Sequence, residues 1–168
     1  GSVAQYGWGE NRLRRTLEMV PNEKLLLGIP FYSRLWEETT TQNGSVSVKT
    51  AKTPSIQGMR NIAKANEGST ITWDDVSKQF YLEYYEGDVR YRMWIEDENS
   101  LNLKTSLALK YNLAGVCSWD YNCSDQKVWE AIYANLKADI SYEDWLLQYA
   151  DAQFSYIVEN PEEDKPIA

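Results

Sequence analysis

Three residues with useful chemistry, Tyr32, Arg34 and Trp36, crowd one end of the segment KLLLGIPFYSRLW, residues 24–36. A second group, Trp119 beside Asp120, ends the segment LAGVCSWDY, residues 113–121. Aromatic side chains with a polar handle suit surfaces that stay partly wet, as binding surfaces and sugar sites do. A half-exposed antiparallel sheet favours the same residues. Seven Trp and twelve Tyr against three Phe fit both readings.

Other chemistries are harder to place. The chain has no histidine, which removes the commonest metal ligand and the usual base of Ser-His or Cys-His catalysis. Cys117 and Cys123 are too few for a disulfide scaffold and lack paired ligand spacing, so they read as separate free thiols, with no metal and no cofactor expected. Glu96-Asp97 looks like a carboxylate pair, but adjacent side chains diverge, and Asp97 reads as a helix cap. Asp74-Asp75, in a polar turn, reads the same way. No catalytic residue is expected in this chain.

At 168 residues, 43% of them apolar, the chain suits one folded domain, or a small domain with an appendage. A net charge of −8 offers phosphates no basic stripe and argues against nucleic acid. Part of that charge belongs to an acidic tail beginning at Glu159. No stretch approaches the length of a membrane span, and none reads as a signal peptide.

The elements that must position these residues follow from periodicity. Apolar spacing predicts a helix over Asn11 to Val20, stopped by Pro21. The unbroken run from Leu25 to Phe31 predicts a strand buried on both faces, as in parallel sheets covered by helices. Glu37 to Pro54 reads as loop or weakly ordered strand, and Ser55 to Asn66 as a helix. Gln79 to Tyr85 alternates, turns at Glu86-Gly87-Asp88 and returns from Val89 to Ile95, a hairpin belonging to a different sheet from the Leu25 run. Asp97 or Ser100 caps a helix reaching Tyr111, with Asn112 as a left-handed stop. A second buried strand fills Leu113 to Trp119, a helix follows Ser124-Asp125, and Ser141 caps a last helix carrying Trp145, Leu146, Tyr149 and Phe154.

Two buried strands with their helices cannot cover both faces of a parallel sheet, and an eight-stranded barrel takes about 250 residues. The expectation is the C-terminal portion of a larger fold. Its open strand edges offer a route to homo-oligomers.

The two chemistry-bearing segments resemble glycoside hydrolase family 18, the chitinase-like enzymes. KLLLGIPFYSRLW resembles the seventh barrel strand, with its Gly-Ile/Leu-Pro-x-Tyr-Gly-Arg signature, and LAGVCSWDY resembles the eighth, which ends in a platform Trp. The ordered set GSVA…W, VP..KLLLGIPFY.R.W, W.ED..SL..K..LA.KYNLAG and a following W is similar to the spore-cortex and cell-wall branch, over about residues 1 to 137. Ser33 departs from the usual Gly, and Cys117 stands where several members have Met. The helix from Ser141 matches nothing in the family pattern.

The resemblance implies an α/β fold: a C-terminal fragment of a TIM (β/α)8 barrel, its last two strand–helix units, with an inserted α+β subdomain. The divisions would be 1-36 (barrel helix and strand seven), 37-97 (insertion subdomain), 98-137 (barrel helix, strand eight and final helix) and 138-168 (C-terminal helix and acidic tail). It also implies a parent glycosidase, secreted to the cell wall or spore envelope, cutting β-1,4 links of N-acetylglucosamine glycans with the substrate's own acetamide as nucleophile. The family's acids lie in an Asp-x-x-Asp-x-Asp-x-Glu run that this sequence does not contain. By residue, Trp119 would be the sugar platform, Tyr32 and Arg34 would offer a hydroxyl and a guanidinium fork to sugar oxygens, and Trp36 is a weaker substrate contact. The expected partner is therefore an N-acetylglucosamine-containing glycan. This chain alone is expected to be inactive. The rival reading is a non-catalytic carbohydrate-binding or self-associating structural module.

Overall fold

The computed structural model describes residues 1–137, 140–149 and 151–158; the acidic tail expected from Glu159 lies outside them. The first helix, α1 (Tyr6–Leu17), begins earlier than its apolar spacing predicts. Its opening turns, Tyr6-Gly7-Trp8-Gly9, carry two glycines and no apolar stripe. They are held instead by a tertiary bond, Tyr6 N–H to the Ser77 carbonyl at 3.1 Å.

After a single 3₁₀ turn comes β1 (Leu26–Pro30). Its parallel partner is β7 (Gly115–Trp119), in register from Leu26 opposite Gly115 to Pro30 opposite Trp119. Between them the chain builds β2 (Leu35–Thr40), β3 (Val46–Lys52), α2 (Ile56–Ala65), β4 (Thr70–Asp74), β5 (Gln79–Glu86), β6 (Val89–Ile95) and α3 (Glu98–Lys110). The last helices are α4 (Gln126–Lys137) and α5 (Tyr142–Tyr149). The five middle strands form one antiparallel sheet in the order β3-β2-β6-β5-β4, separate from the β1-β7 pair. The fold is therefore mixed α/β, and neither sheet closes into a barrel among the described residues.

One expectation is narrowed and two are corrected. Residues 37–54, read as loop or weakly ordered strand, are mostly strand, the β2–β3 hairpin. The polar side chains of β3, exposed throughout, hide the strand from a hydrophobicity reading. What holds it is pairing through β2 to the distant β6. The run at Leu26 is also not buried on both faces. Ile29 and Phe31 are buried, but Leu26 is 56% exposed, because its face of the two-stranded sheet is left open among the described residues. Likewise β7 is only partly covered. Finally, the last helix stops at Tyr149, and Phe154 lies beyond it.

The caps follow the local rules. The Ser55 side chain accepts from Gly58 N–H at the start of α2. Asp97 and Ser100 cap α3 reciprocally, so both candidate caps are used. Asn112 takes the left-handed conformation, φ 49°, that ends α3. Asp125 accepts from Val128 N–H and starts α4.

One apolar cluster joins these parts. Ile29 and Phe31 from the parallel pair pack with Phe80, Leu82, Met93 and Ile95 of the antiparallel sheet, and with Leu101, Val128 and Ile132 from the helices. Polar links lock the same joint. The Arg60 guanidinium, in α2, bridges Asp125 at 3.0 Å and Glu98 at 3.2 Å. Glu96 and Lys104 form a fully buried ion pair, and Ser100 Oγ donates to the same carboxylate at 2.8 Å. Asn135 of α4 donates to the Asn102 carbonyl and to Thr105 Oγ1, while the buried Trp145 of α5 donates to Asn102 Oδ1. Helices α3, α4 and α5 are thereby joined by satisfied buried polar groups.

Candidate functional site

The residues of interest collect at the C-terminal ends of the parallel pair. The Pro30–Trp119 register brings the two strand ends level, and Phe31 N–H donates to the Trp119 carbonyl at 2.8 Å. That bond fixes the Trp119 backbone while its indole stands 71% exposed. Directly after it, the Trp119–Asp120 peptide is cis, and Asp120 accepts from Cys123 N–H at 3.2 Å. Trp119 and Tyr32 line one shallow depression of about 340 Å³, together with Gly28, Pro30 and Cys117. An exposed flat indole over such a floor can pack on the apolar face of a ring, with a phenol hydroxyl at its margin.

Arg34 and Trp36 form a second pair next along the chain. Arg34 Cζ lies 5.7 Å from the centre of the Trp36 ring, within cation–π range. Trp36 Nε1 donates to the Gly1 carbonyl at 2.9 Å. Arg34 is exposed and makes no ion pair among the described residues. So the four residues singled out from the sequence fall into two neighbouring pairs, Tyr32 with Trp119 and Arg34 with Trp36.

No carboxylate pair arranged for acid–base work joins them. Asp97 is spent on capping, and burial pushes its carboxyl up to about 6. Glu96 is buried against Lys104, and burial pushes its carboxyl up as well. Asp74, at the end of β4, accepts from Ser77 and from Trp94 Nε1. Among the described residues no cluster of His, Cys, Asp or Glu could hold a metal ion, and both cysteines are free. No described helix is long and apolar enough to cross a membrane.

The sequence model described as Glycosyl hydrolases family 18 matches residues 6–123, most of the chain. The chain belongs to this family. The chain is 23% identical over 138 residues to the uncharacterized glycosylase YvbX of Bacillus subtilis, covering 82% of this chain and 38% of that protein. To the cortical fragment-lytic enzyme of the same organism it is 26% identical, over 76% of this chain and 29% of that one. Among solved structures, a chitinase from Chromobacterium violaceum superposes with a TM-score of 0.66 at 26% identity, over 82% of this chain and 40% of that one. The chain thus spans well under half the length of these proteins.

Three contributors near the site escaped the sequence reading. Ser33, which departs from the family's Gly, is buried; its hydroxyl donates to the Trp94 carbonyl, and its N–H to the Pro54 carbonyl. It therefore ties the chain just past β1 to the antiparallel sheet. Arg92 and Trp94 share a sheet face with Trp36, because Trp36 pairs directly with Arg92. The alternation Val89-Arg-Tyr-Arg-Met-Trp-Ile places Arg90, Arg92 and Trp94 on one face, but only the register with β2 shows which face that is.

Proposed function

We propose that this chain forms the floor and one wall of a glycan cleft in a family 18 glycoside hydrolase. It would correspond to the last two strand–helix units of the (β/α)8 barrel, with residues 37–97 as an inserted α+β subdomain. The glycan would be a β-1,4-linked N-acetylglucosamine polymer, chitin or peptidoglycan, met outside the cell in the wall or spore envelope. The observation that carries this reading is the exposed indole of Trp119, anchored through its carbonyl at a strand end and paired with Tyr32 in one depression. Arg34 and Trp36 would extend the wall, the guanidinium toward sugar oxygens and the indole as a lesser contact. The Asp-x-x-Asp-x-Asp-x-Glu run is absent from this sequence, so the 168-residue chain should not hydrolyse glycans by itself.

Binding is the test. Calorimetric or NMR titration with a chitin oligomer should detect weak binding that Trp119→Ala reduces roughly tenfold, the scale of one lost aromatic platform. Binding unchanged in that variant would sink the platform role. Turnover of a chromogenic N-acetylglucosamine oligomer that co-purifies with the chain would sink the predicted inactivity. A second reading, a self-associating structural module, is favoured by the open strand edges and the exposed Leu26.

A further inference from the structure

Residues 151–158, past the end of α5, run extended, and their exposure alternates. Phe154, Tyr156 and Val158 are half-buried, while Gln153, Ser155 and Ile157 face solvent. That is the period of a strand laid with one face down, yet the segment joins neither sheet among the described residues. What seats it is a pair of rings. Phe154 stacks on Trp73 of the edge strand β4, and Tyr156 meets Phe80 of β5, both against the core cluster. Trp73 and Phe80 themselves meet edge-on at 5.0 Å, so the two seats form one continuous aromatic surface. Beside them an open hollow of about 330 Å³ separates the segment from Arg60, Glu98 and Asn99. The segment is thus seated at its rings and not packed along its length. Ring contacts of this kind are specific in geometry and modest in strength. The whole arrangement lies outside the family match on the segment's side, since that match ends at residue 123.

We propose that Trp73 and Phe80 form a docking surface for an extended aromatic-x-aromatic segment, and that two copies of this chain exchange their Phe154-Ser155-Tyr156 segments across it. The seated segment itself shows which chemistry fits. A second copy's segment makes the same ring contacts, so exchange loses none of them. It is opposed by the tether, which holds each segment near its own seat at an effective concentration of about millimolar. Two features bear on whether copies meet. The unpaired edges of the β1–β7 pair favour association. The net charge of −8 opposes it, so exchange should rise with both protein concentration and salt.

Two measurements on the whole chain test this. In the first, Phe154→Ser/Tyr156→Ser, its fold checked by circular dichroism, is titrated with a fluorescent peptide of residues 151–158. The peptide should bind this variant about tenfold or more tighter than it binds wild type, whose own segment competes. A peptide carrying both serines should not bind. In the second, isotope-labelled and unlabelled wild type are mixed and concentrated, and filtered NMR reads contacts between chains. Contacts from Phe154 of one copy to Trp73 of the other are expected, growing with concentration and salt. A folded variant that ignores the peptide, or binds it no tighter than wild type does, overturns the docking surface. Concentrated wild type without the contacts between chains overturns the exchange, even where heavier species form, since those would then pair through strand edges. If the double variant fails to fold, the wild-type contacts alone decide.

Discussion

At the scale of single residues, the buried acids are the most exacting feature. Lys104 and Glu96 are both fully buried and bonded to each other, so each supplies the charge that the other's desolvation demands. Lys104→Met leaves a carboxylate without its partner and should cost about 3–5 kcal/mol in urea melts. The double variant Lys104→Met/Glu96→Gln should recover much of that loss; if it does not, the cost lies in packing rather than in charge. Asp97 makes a pH-dependent contribution. Burial, the largest cause, raises its carboxyl from 3.8 to about 6, so the folded state binds this proton more tightly than the unfolded chain does. The sign follows: this group adds stability at acid pH and loses it as pH rises through about 6. Asp97→Asn, which keeps the cap, should be at least as stable as wild type at pH 7, with wild type gaining about 2 kcal/mol relative to it by pH 4. Relative thermal melts across that range would check it, and a wild type that instead gains as pH rises would reverse the assignment.

At the scale of elements, the segment after α5 reaches back across the molecule. Phe154 stacks on Trp73 of β4, with ring centres 4.3 Å apart, and Tyr156 meets Phe80 of β5 edge-on at 5.2 Å. Both rings pack against the main cluster, so residues beyond the family match help seat the antiparallel sheet. A double-mutant cycle of Phe154→Ala and Trp73→Ala should give a coupling of about 1 kcal/mol in chemical denaturation. Additive losses would mean that the two rings stack without holding anything. The sequence showed unevenly which elements form. The 79–95 hairpin and the caps at Asp97 and Asn112 were legible because their causes are local: alternation, a tight turn, a side chain reaching three residues on. The strands β2, β3 and β4 were less so: β3 and β4 are the sheet's edges and carry mostly polar or exposed side chains, and β2 is placed by pairing with the distant β6. The same divide runs through the site. Tyr32, Arg34 and Trp119 stand where apolar runs end, whereas the face holding Arg92 and Trp94 is fixed only by register with β2.

At the scale of the whole molecule, the two sheets differ in how finished they are. The antiparallel sheet has a continuous core on one face, while the parallel pair leaves both outer edges unpaired among the described residues and Leu26 exposed. Unpaired edges next to apolar side chains favour association. Light scattering at rising concentration should therefore show species heavier than the 19.4 kDa chain, and a clean monomer throughout would count against edge pairing. The hydroxyl of Ser33 carries a different kind of consequence. It bonds the carbonyl of Trp94, a residue 61 positions later, so the stretch that leaves the parallel strand comes back to almost the same point. A segment whose two ends meet side by side behaves as a self-closed loop on its host, and the entropy of holding it rises only with the logarithm of its length. Such a stretch can lengthen, shorten or be exchanged over evolutionary time while the strands that flank it stay where they are. The antiparallel sheet can then change independently of the parallel strands beneath it.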